Sequence, residues 1–318
     1  VVLIVDQIGS MWLRKKHYKT LEEAGAQVIV YKRGFDFANR IFCGTHRKVL
    51  IADDIVFTGS CNLTIDYGGI DTMWTRYCDN HFRLSGPVVM EFSELFVESL
   101  REMVPGEVDW DNFLHLHHPD SDLLSLPKDS RLPTCALVIR TNDPGLNRYQ
   151  IQNSFIQLID SAKRYIYITN PYFLPSSKLI EAFSRAAERG VEVKILTAGK
   201  SDVFFIQQAS QWVSYLLAKK NVSIFEMQAL ELHAKTAIID GSVVCFGSFN
   251  FDPVSFHHNK EIVVYCLDNQ PLAQELSLEF DRQLSLSSVF DPLSFSKSFP
   301  PLLAFRRFLY RLARFIIG

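Results

Sequence analysis

The sequence predicts an α/β protein made of two halves related by a pseudo-twofold axis, and three observations predict it. A set of polar landmarks occurs twice in the same order, strands alternate with helices between them, and a polar stretch divides the copies. At 318 residues the chain suffices for one large domain or two ordinary ones. Its 47% hydrophobic and 21% charged residues give a globular composition.

The elements follow in order. Val1-Val-Leu-Ile-Val-Asp6 is an apolar run that reads as a buried strand, and Val191-Glu-Val-Lys-Ile-Leu196 is its counterpart. Residues 11–24 form a helix candidate closed by Gly25, where helices often stop, and Gln27–Tyr31 reads as a strand. His46-Arg-Lys48-Val-Leu-Ile-Ala-Asp53 then matches His233-Ala-Lys235-Thr-Ala-Ile-Ile-Asp240 in all three polar residues. Val1 to His46 is 45 residues and Val191 to His233 is 42, so spacing recurs as well as order. In the second half Arg148–Ala162 is helical, Tyr165–Thr169 is a strand, and Lys178–Arg189 is a helix ended by Gly190.

The halves are unequal. About 50 residues precede Val191 in the second, carrying one strand and two helices, whereas the first begins at its strand, with Val at position 1. The expected organisation is a first half over 1–104 that lacks its opening strand and helix, then a linker over 105–133. A second half over 134–296 and a tail helix over 297–318 complete it. His115, His117 and His118 fall in the linker, without a cysteine or partner cluster nearby, and read as solvated rather than metal-binding.

The six cysteines include no Cys-x-x-Cys pair, and a chain of this size needs no disulfide staples. Cys245 and Cys266 lie in apolar strand-like runs, where a reduced core thiol is expected, which favours a reducing compartment. Lys plus Arg is 33 and Asp plus Glu is 35, a net charge of -2 that argues against a dedicated nucleic-acid binder. No apolar run approaches the roughly 20 residues that span a bilayer, and no secretory signal opens the sequence.

Geometry separates the roles inside the repeated motif. Residues two apart on a strand share a face, so His46 goes with Lys48 and His233 with Lys235. The Asp, seven residues on, would be about 23 Å away along a continuing strand, beyond reach of its own His. Asp53 and Asp240 therefore belong at the far end, where Asp53-Asp54 and Asp240-Gly241 turn the chain. The returning strands reach Gly59-Ser60-Cys61-Asn62 and Gly247-Ser248-Phe249-Asn250, which sets Asn62 opposite His46 and Asn250 opposite His233.

Such a set suits a phosphate. Lys48 and Lys235 supply charge, and Asn62, Asn250, Ser60 and Ser248 supply hydrogen bonds to non-bridging oxygens. His46 and His233 can attack phosphorus or protonate a leaving alcohol, which are the two tasks of a two-step phosphodiester exchange. Two lysines can neutralise the developing charge, so the reading calls for no metal and no cofactor.

These residues resemble the phospholipase D superfamily, whose mark is paired His-x-Lys-x(4)-Asp motifs followed by Gly-Ser-x-Asn. Within it the sequence is most similar to bacterial cardiolipin synthases. That likeness rests on Thr45-His-Arg-Lys-Val-Leu-Ile, Arg83-Leu-Ser-Gly86-Pro-Val-Val and Asn170-Pro-Tyr-Phe-Leu-Pro175. It rests also on Arg189-Gly-Val-Glu-Val-Lys-Ile-Leu196 and Gly247-Ser-Phe-Asn-Phe-Asp-Pro-Val-Ser255. The resemblance implies mixed sheets flanked by helices, a catalytic set of His46, Lys48, Asp53, His233, Lys235 and Asp240, and a phosphatidyl-histidine intermediate passed to a lipid alcohol. It further implies a phosphatidylglycerol-like substrate and residence at the bacterial cell membrane, on its cytoplasmic side. It also implies that a later carboxylate holds each His, matched here by Glu261 and Asp79. The sequence departs from the pattern in its first turn, one residue shorter than the second, and in Cys61 beside the first Asn.

The tail, residues 302–317, carries Arg306, Arg307, Arg311 and Arg314 and no acid, with Phe305, Phe308, Leu309, Leu312 and Phe315 at helical spacing. This pattern suits an anionic membrane surface and equally a terminal helix packed on the domain. Three functions compete: a phosphatidyltransferase, a phosphodiesterase of the same superfamily acting on lipid or nucleic acid, and a non-enzymatic membrane-surface module. Intact His, Lys and Asn in both halves speak against the last, and the charge balance and the tail favour lipid over nucleic acid. Transfer to an alcohol or to water, and either His as nucleophile, fit the motifs equally.

Overall fold

The computed structural model describes residues 1–11, 13, 15–31, 34–36, 41–64, 77–104, 134–144, 147–200 and 204–317. The chain opens with β1 (Val2–Asp6), α1 (Lys15–Glu23), β2 (Gln27–Tyr31), β3 (Gly34–Asp36), β4 (Ile41–Thr45), β5 (Val49–Ala52) and β6 (Ile55–Gly59). Next come β7 (Tyr77–Cys78), β8 (His81–Ser85), α2 (Val88–Met103), β9 (Ala136–Asn142), α3 (Gln150–Ser161), β10 (Tyr165–Thr169) and α4 (Ser177–Glu188). These lead to β11 (Glu192–Ala198), α5 (Phe204–Ala218), β12 (Ser223–Met227), β13 (Glu231–Leu232), β14 (Thr236–Ile239) and β15 (Val243–Gly247). The chain continues through α6 (Pro253–His257), β16 (Asn259–Leu267), α7 (Gln270–Ser285), β17 (Ser287–Val289), α8 (Pro292–Ser296) and α9 (Pro300–Ile317).

Local chemistry sets several boundaries. α4 starts where the Ser176 hydroxyl accepts the Leu179 N–H, and ends before Gly190, whose φ of 85° a side chain would resist. α6 starts where Asp252 accepts the Ser255 N–H at 2.8 Å, with Pro253 in the first helical position.

The main sheet runs β17-β12-β11-β10-β14-β15-β16, with β9 antiparallel to β16, and continues through β4 to β3. Its β10, β11 and β12 are parallel, whereas β14, β15 and β16 form an antiparallel meander. The fold is therefore α/β with mixed sheets flanked by helices, as expected. β1 and β2 form a small parallel sheet, and β5, β6 and β8 an antiparallel one.

The meander is apolar on both faces because both are covered. Ala237, Ile239, Cys245, Val263 and Tyr265 join a core with Phe155, Phe173, Phe183 and Phe251 on one side. On the other, Ile238, Val244, Phe246, Ile262 and Val264 pack against Val56, Val88, Val89 and Phe92 of the first half. The two halves thus share a core.

They also exchange backbone. β4 runs parallel to the start of β16 (Asn259↔Gly44, Lys260↔Thr45), and β13 runs parallel to β7 (Glu231↔Tyr77, Leu232↔Cys78). Each short strand that leads into a repeated motif therefore pairs with the other half. Lys260 fastens this junction, with its buried Nζ 2.6 Å from Glu102 Oε2 and 3.0 Å from Asp143 Oδ2.

The tail is a helix that packs. Leu309 and Tyr310 of α9 are buried, and Arg306 reaches Gln208 of α5 at 2.9 Å while lying over the Phe295 ring. Phe305, Phe308 and Leu312 stay exposed, as do Arg307 and Arg311. The expected apolar stripe is thus split, with Leu309 turned inward because α5 offers it an apolar seat. Among the described residues, no helix is long and apolar enough to cross a membrane. The predicted linker, with His115, His117 and His118, lies outside the described residues.

Candidate active site

His46 to Lys48 and His233 to Lys235 do not continue a ladder, as the strand argument supposed. Each triplet is the link between two strands, and its first N–H is drawn to the other half. His46 donates its N–H to the Lys260 carbonyl at 2.9 Å, and His233 donates to that of Cys78 at 2.8 Å. The residue after each acceptor is the carboxylate that meets the ring. His46 Nδ1 lies 3.0 Å from Glu261 Oε1, and His233 Nδ1 lies 2.7 Å from Asp79 Oδ2. Each histidine is therefore held by a carboxylate from the opposite half. With Nδ1–H given to the carboxylate, the lone pair resides on Nε2, the nitrogen available for chemistry.

Both carboxylates are fixed from behind. Glu261, fully buried, accepts from Ser248 Oγ at 2.5 Å and from Ser255 Oγ at 2.6 Å. Asp79 accepts from Ser60 Oγ and from the Asn80 N–H at 2.8 Å. This corrects the role expected of the two serines, whose hydroxyls point at the carboxylates and not at a phosphate. The glycines make this possible: a Cβ at Gly247 would lie 2.1 Å from the Ile262 carbonyl oxygen, and one at Gly59 2.6 Å from that of Asn80. Only a glycine lets the strand close in far enough for the next residue to reach the acid.

Lys48 Nζ donates to the His46 carbonyl at 2.9 Å, and Lys235 Nζ to that of His233 at 2.6 Å. Burial pushes Lys48 down to about 8 despite Glu261 and Asp79, and pushes Lys235 down to about 7, where Lys48 adds its repulsion. An anion brought into the centre would favour the charged form of both lysines. Burial also lowers both imidazoles, His46 against the pull of Glu261 and His233 to about 4 against that of Asp79. Lys235 acts on His46 and Lys48 on His233, so the two motifs converge electrostatically. Burial alone would raise Glu261 and Asp79, but their histidines, lysines and serines hold both below the usual carboxylate range.

Asn250 is buried with its Oδ1 unpaired among the described residues, whereas Asn62 is exposed. The ladder registers carried outward set Cys61 opposite His46 and Phe249 opposite His233, one residue short of each Asn.

Asp53 and Asp240 do not join the centre, and their place in the expected catalytic set is corrected. Both occupy hairpin turns, with φ of 52° and 55°. Asp240 accepts the backbone N–H groups of Lys163, Arg164 and Tyr165 at 2.8, 2.7 and 3.0 Å, tying the turn to the start of β10. Sequence reasoning missed Ser255. Asp252-Pro253 signals a helix start, but nothing in it shows where the serine points.

A two-half α/β fold with two His–Lys pairs, each His carried by the other half's acid, defines a class, the phospholipase D superfamily, and the chain belongs to it. Within that class it is cardiolipin-synthase-like. A family model described as "Cardiolipin synthase, PLD-like domain" matches residues 155–284. The chain is 30% identical to the major cardiolipin synthase of Bacillus subtilis over 295 residues, 91% of this chain and 58% of that one. It is 26% identical to cardiolipin synthase 1 of Bacillus cereus over 302 residues, again 58% of the relative's length. The chain thus spans somewhat more than half of these relatives. Its fold is similar to that of phosphatidylserine synthase from Haemophilus influenzae, with a TM-score of 0.65 and 12% identity, covering 95% of this chain and 76% of that one.

Proposed function

We propose that this chain is the catalytic unit of a phosphatidyltransferase that moves a phosphatidyl group from one lipid to the hydroxyl of another. The observation that carries the reading is the crossed pairing, His46 with Glu261 and His233 with Asp79, around two lysines depressed by burial. A phosphodiester anion would relieve those lysines.

Nε2 of one imidazole attacks phosphorus, and the P–O bond to the leaving alcohol breaks as the other imidazole, protonated once the bound phosphodiester anion favours its charged form, gives that oxygen its proton. The second imidazole, now neutral, takes the proton of the acceptor hydroxyl, whose oxygen displaces the histidine. Protons balance over the cycle, and each imidazolium is steadied by its acid. His46, Lys48, His233, Lys235 and Asn250 act on the phosphate in this reading, with Asn62 beside them, while Ser60, Ser248, Asp79 and Glu261 support them. Asp53 and Asp240 hold the hairpins.

The substrate would be a phosphatidylglycerol-like lipid and the surface an anionic bilayer, on the cytoplasmic side of a bacterial membrane. α9 supports the surface, since Phe305, Phe308 and Leu312 lie exposed beside Arg307 and Arg311. The test is incubation of the protein with vesicles of labelled phosphatidylglycerol. A diphosphatidyl product with released glycerol supports transfer, whereas phosphatidic acid alone would make the chain a phosphodiesterase.

A further inference from the structure

Glu261 takes a hydroxyl that the repeat does not supply. Ser248 and Ser60 occupy equivalent motif positions, and each donates to the carboxylate that orients a histidine. Ser255 stands five residues beyond Asn250, where the first half has Tyr67 five residues beyond Asn62. Among the described residues, two serine hydroxyls reach Glu261, those of Ser248 and Ser255, and one reaches Asp79, that of Ser60.

Its bonds give it two hands. Ser255 is buried, and its Oγ donates to Glu261 Oε1 at 2.6 Å while accepting the Asn250 backbone N–H at 3.2 Å. Both carboxylate oxygens lie near His46 Nδ1, Oε1 at 3.0 Å and Oε2 at 3.1 Å. Ser248 holds the other oxygen, Oε2, so the two hydroxyls together fix the plane of the carboxylate. Ser255 is itself seated, its N–H on Asp252 Oδ1 at 2.8 Å and its carbonyl taking Asn142 Nδ2 at 3.4 Å.

We infer that Ser255 is a positioning residue, which couples the Glu261–His46 pair to Asn250 and makes the two histidines chemically unequal. Removing its hydroxyl leaves Oε1 with less stabilisation of its negative charge. The carboxylate then draws the His46 proton more strongly, and the imidazole titrates higher. His233, held by Asp79, has no contact with this hydroxyl and stays where it was.

The direct test is a titration of isotope-labelled histidine by NMR in the whole protein, comparing wild type with Ser255→Ala and Ser255→Thr. His46→Asn and His233→Asn assign the signals. The His46 midpoint should rise in Ser255→Ala, the His233 midpoint should not, and Ser255→Thr should restore the wild-type value. An unmoved His46 midpoint in folded protein, or an equal shift at both histidines, overturns the inference. If Ser255→Ala does not fold, Ser255→Cys keeps the size with a weaker donor. Its His46 midpoint should also rise, and one that stays put is equally fatal.

The kinetic arm rests on the phosphatidyltransferase reading above. In it, Ser255→Ala should lower kcat on phosphatidylglycerol vesicles about tenfold to a hundredfold, the loss that a hydrogen bond to a charged group represents, with Ser255→Thr close to wild type. A protein that shows the titration shift but transfers no phosphatidyl group keeps the inference and sinks the functional reading.

Discussion

Replacing Glu261 by Gln removes a buried anion while keeping its shape. The carboxylate has no solvent exposure and faces His46 Nδ1 at 3.0 and 3.1 Å through its two oxygens. Water cannot take over its role, and the Ser248 and Ser255 hydroxyls can rotate to meet an amide. The loss is therefore electrostatic. Glu261 is the group that holds the His46 imidazole up against burial, Lys48 and Lys235, so without it the midpoint falls further. That direction is opposite to the one expected for Ser255→Ala. An imidazole that cannot be stabilised as imidazolium, or that turns its tautomer toward the amide, is the situation of an orienting Asp→Asn change in a hydrolase triad, which costs about 10⁴ in kcat. Since the histidine here still has its lysines and phosphate contacts, about 10³ to 10⁴ is expected, or about 4 to 5.5 kcal/mol in the barrier. Turnover of labelled phosphatidylglycerol, read beside a thermal melt, measures it. A folded Glu261→Gln protein within about tenfold of wild type would refute the reasoning.

Asp240→Ala should behave in the contrary way, losing about 1–3 kcal/mol of stability as three N–H groups lose their acceptor. Its turnover, measured well below the melting temperature, should stay within about threefold, and a collapse of activity in folded protein would return Asp240 to the chemistry. Lys48 near 8 and Lys235 near 7 are depressed from the ordinary lysine value of 10.5. The folded state then binds fewer protons than the unfolded state from about pH 7 to 10.5, so ligand-free stability should rise with pH across that window. Affinity for the anionic lipid should fall over the same range as the lysines discharge, and melting curves with KM at pH 6.5 and 9 check both signs. Arg307→Gln with Arg311→Gln should weaken binding to anionic vesicles about tenfold to thirtyfold at low salt without moving the melt, because both side chains are exposed. Truncation after Ser298 should destabilise the fold, since it takes Leu309 and Tyr310 out of the core.

The architecture was legible wherever a residue's role depends on its neighbours in sequence. The strand at Tyr165–Thr169 and the glycine stops at Gly25 and Gly190 follow from local propensity, and the repeat announced the pseudo-twofold. The odd offset of Asp240 from His233 already argued that this Asp could not serve its own histidine, and its three backbone bonds show what it serves instead. What the sequence could not show is which half supplies each acid. Glu261 follows His233 in the chain yet meets His46, because β4 adds to β16 by hydrogen bonds that any residue could make. Backbone pairing carries no side-chain signature. Ser248 and Ser60 were misassigned for a related reason: a hydroxyl beside an Asn suits a phosphate, and only the close approach at Gly247 and Gly59 reveals that it is spent on a carboxylate.

The central claim is that two histidines from different halves act in sequence on one phosphorus. Rapid quenching into alkali, where a phosphohistidine bond survives, after mixing with a labelled short-chain phosphatidylglycerol traps whatever adduct forms, and peptide mass analysis places it. The account predicts a phosphatidyl group on one of His46 and His233 and not on the other. That adduct should vanish when its own histidine is replaced by Ala, and it should accumulate when the partner histidine is replaced and the substrate carries an activated leaving group, such as a nitrophenol, that departs without an acid. An adduct on a serine, on neither histidine, or on both to equal extent would contradict it.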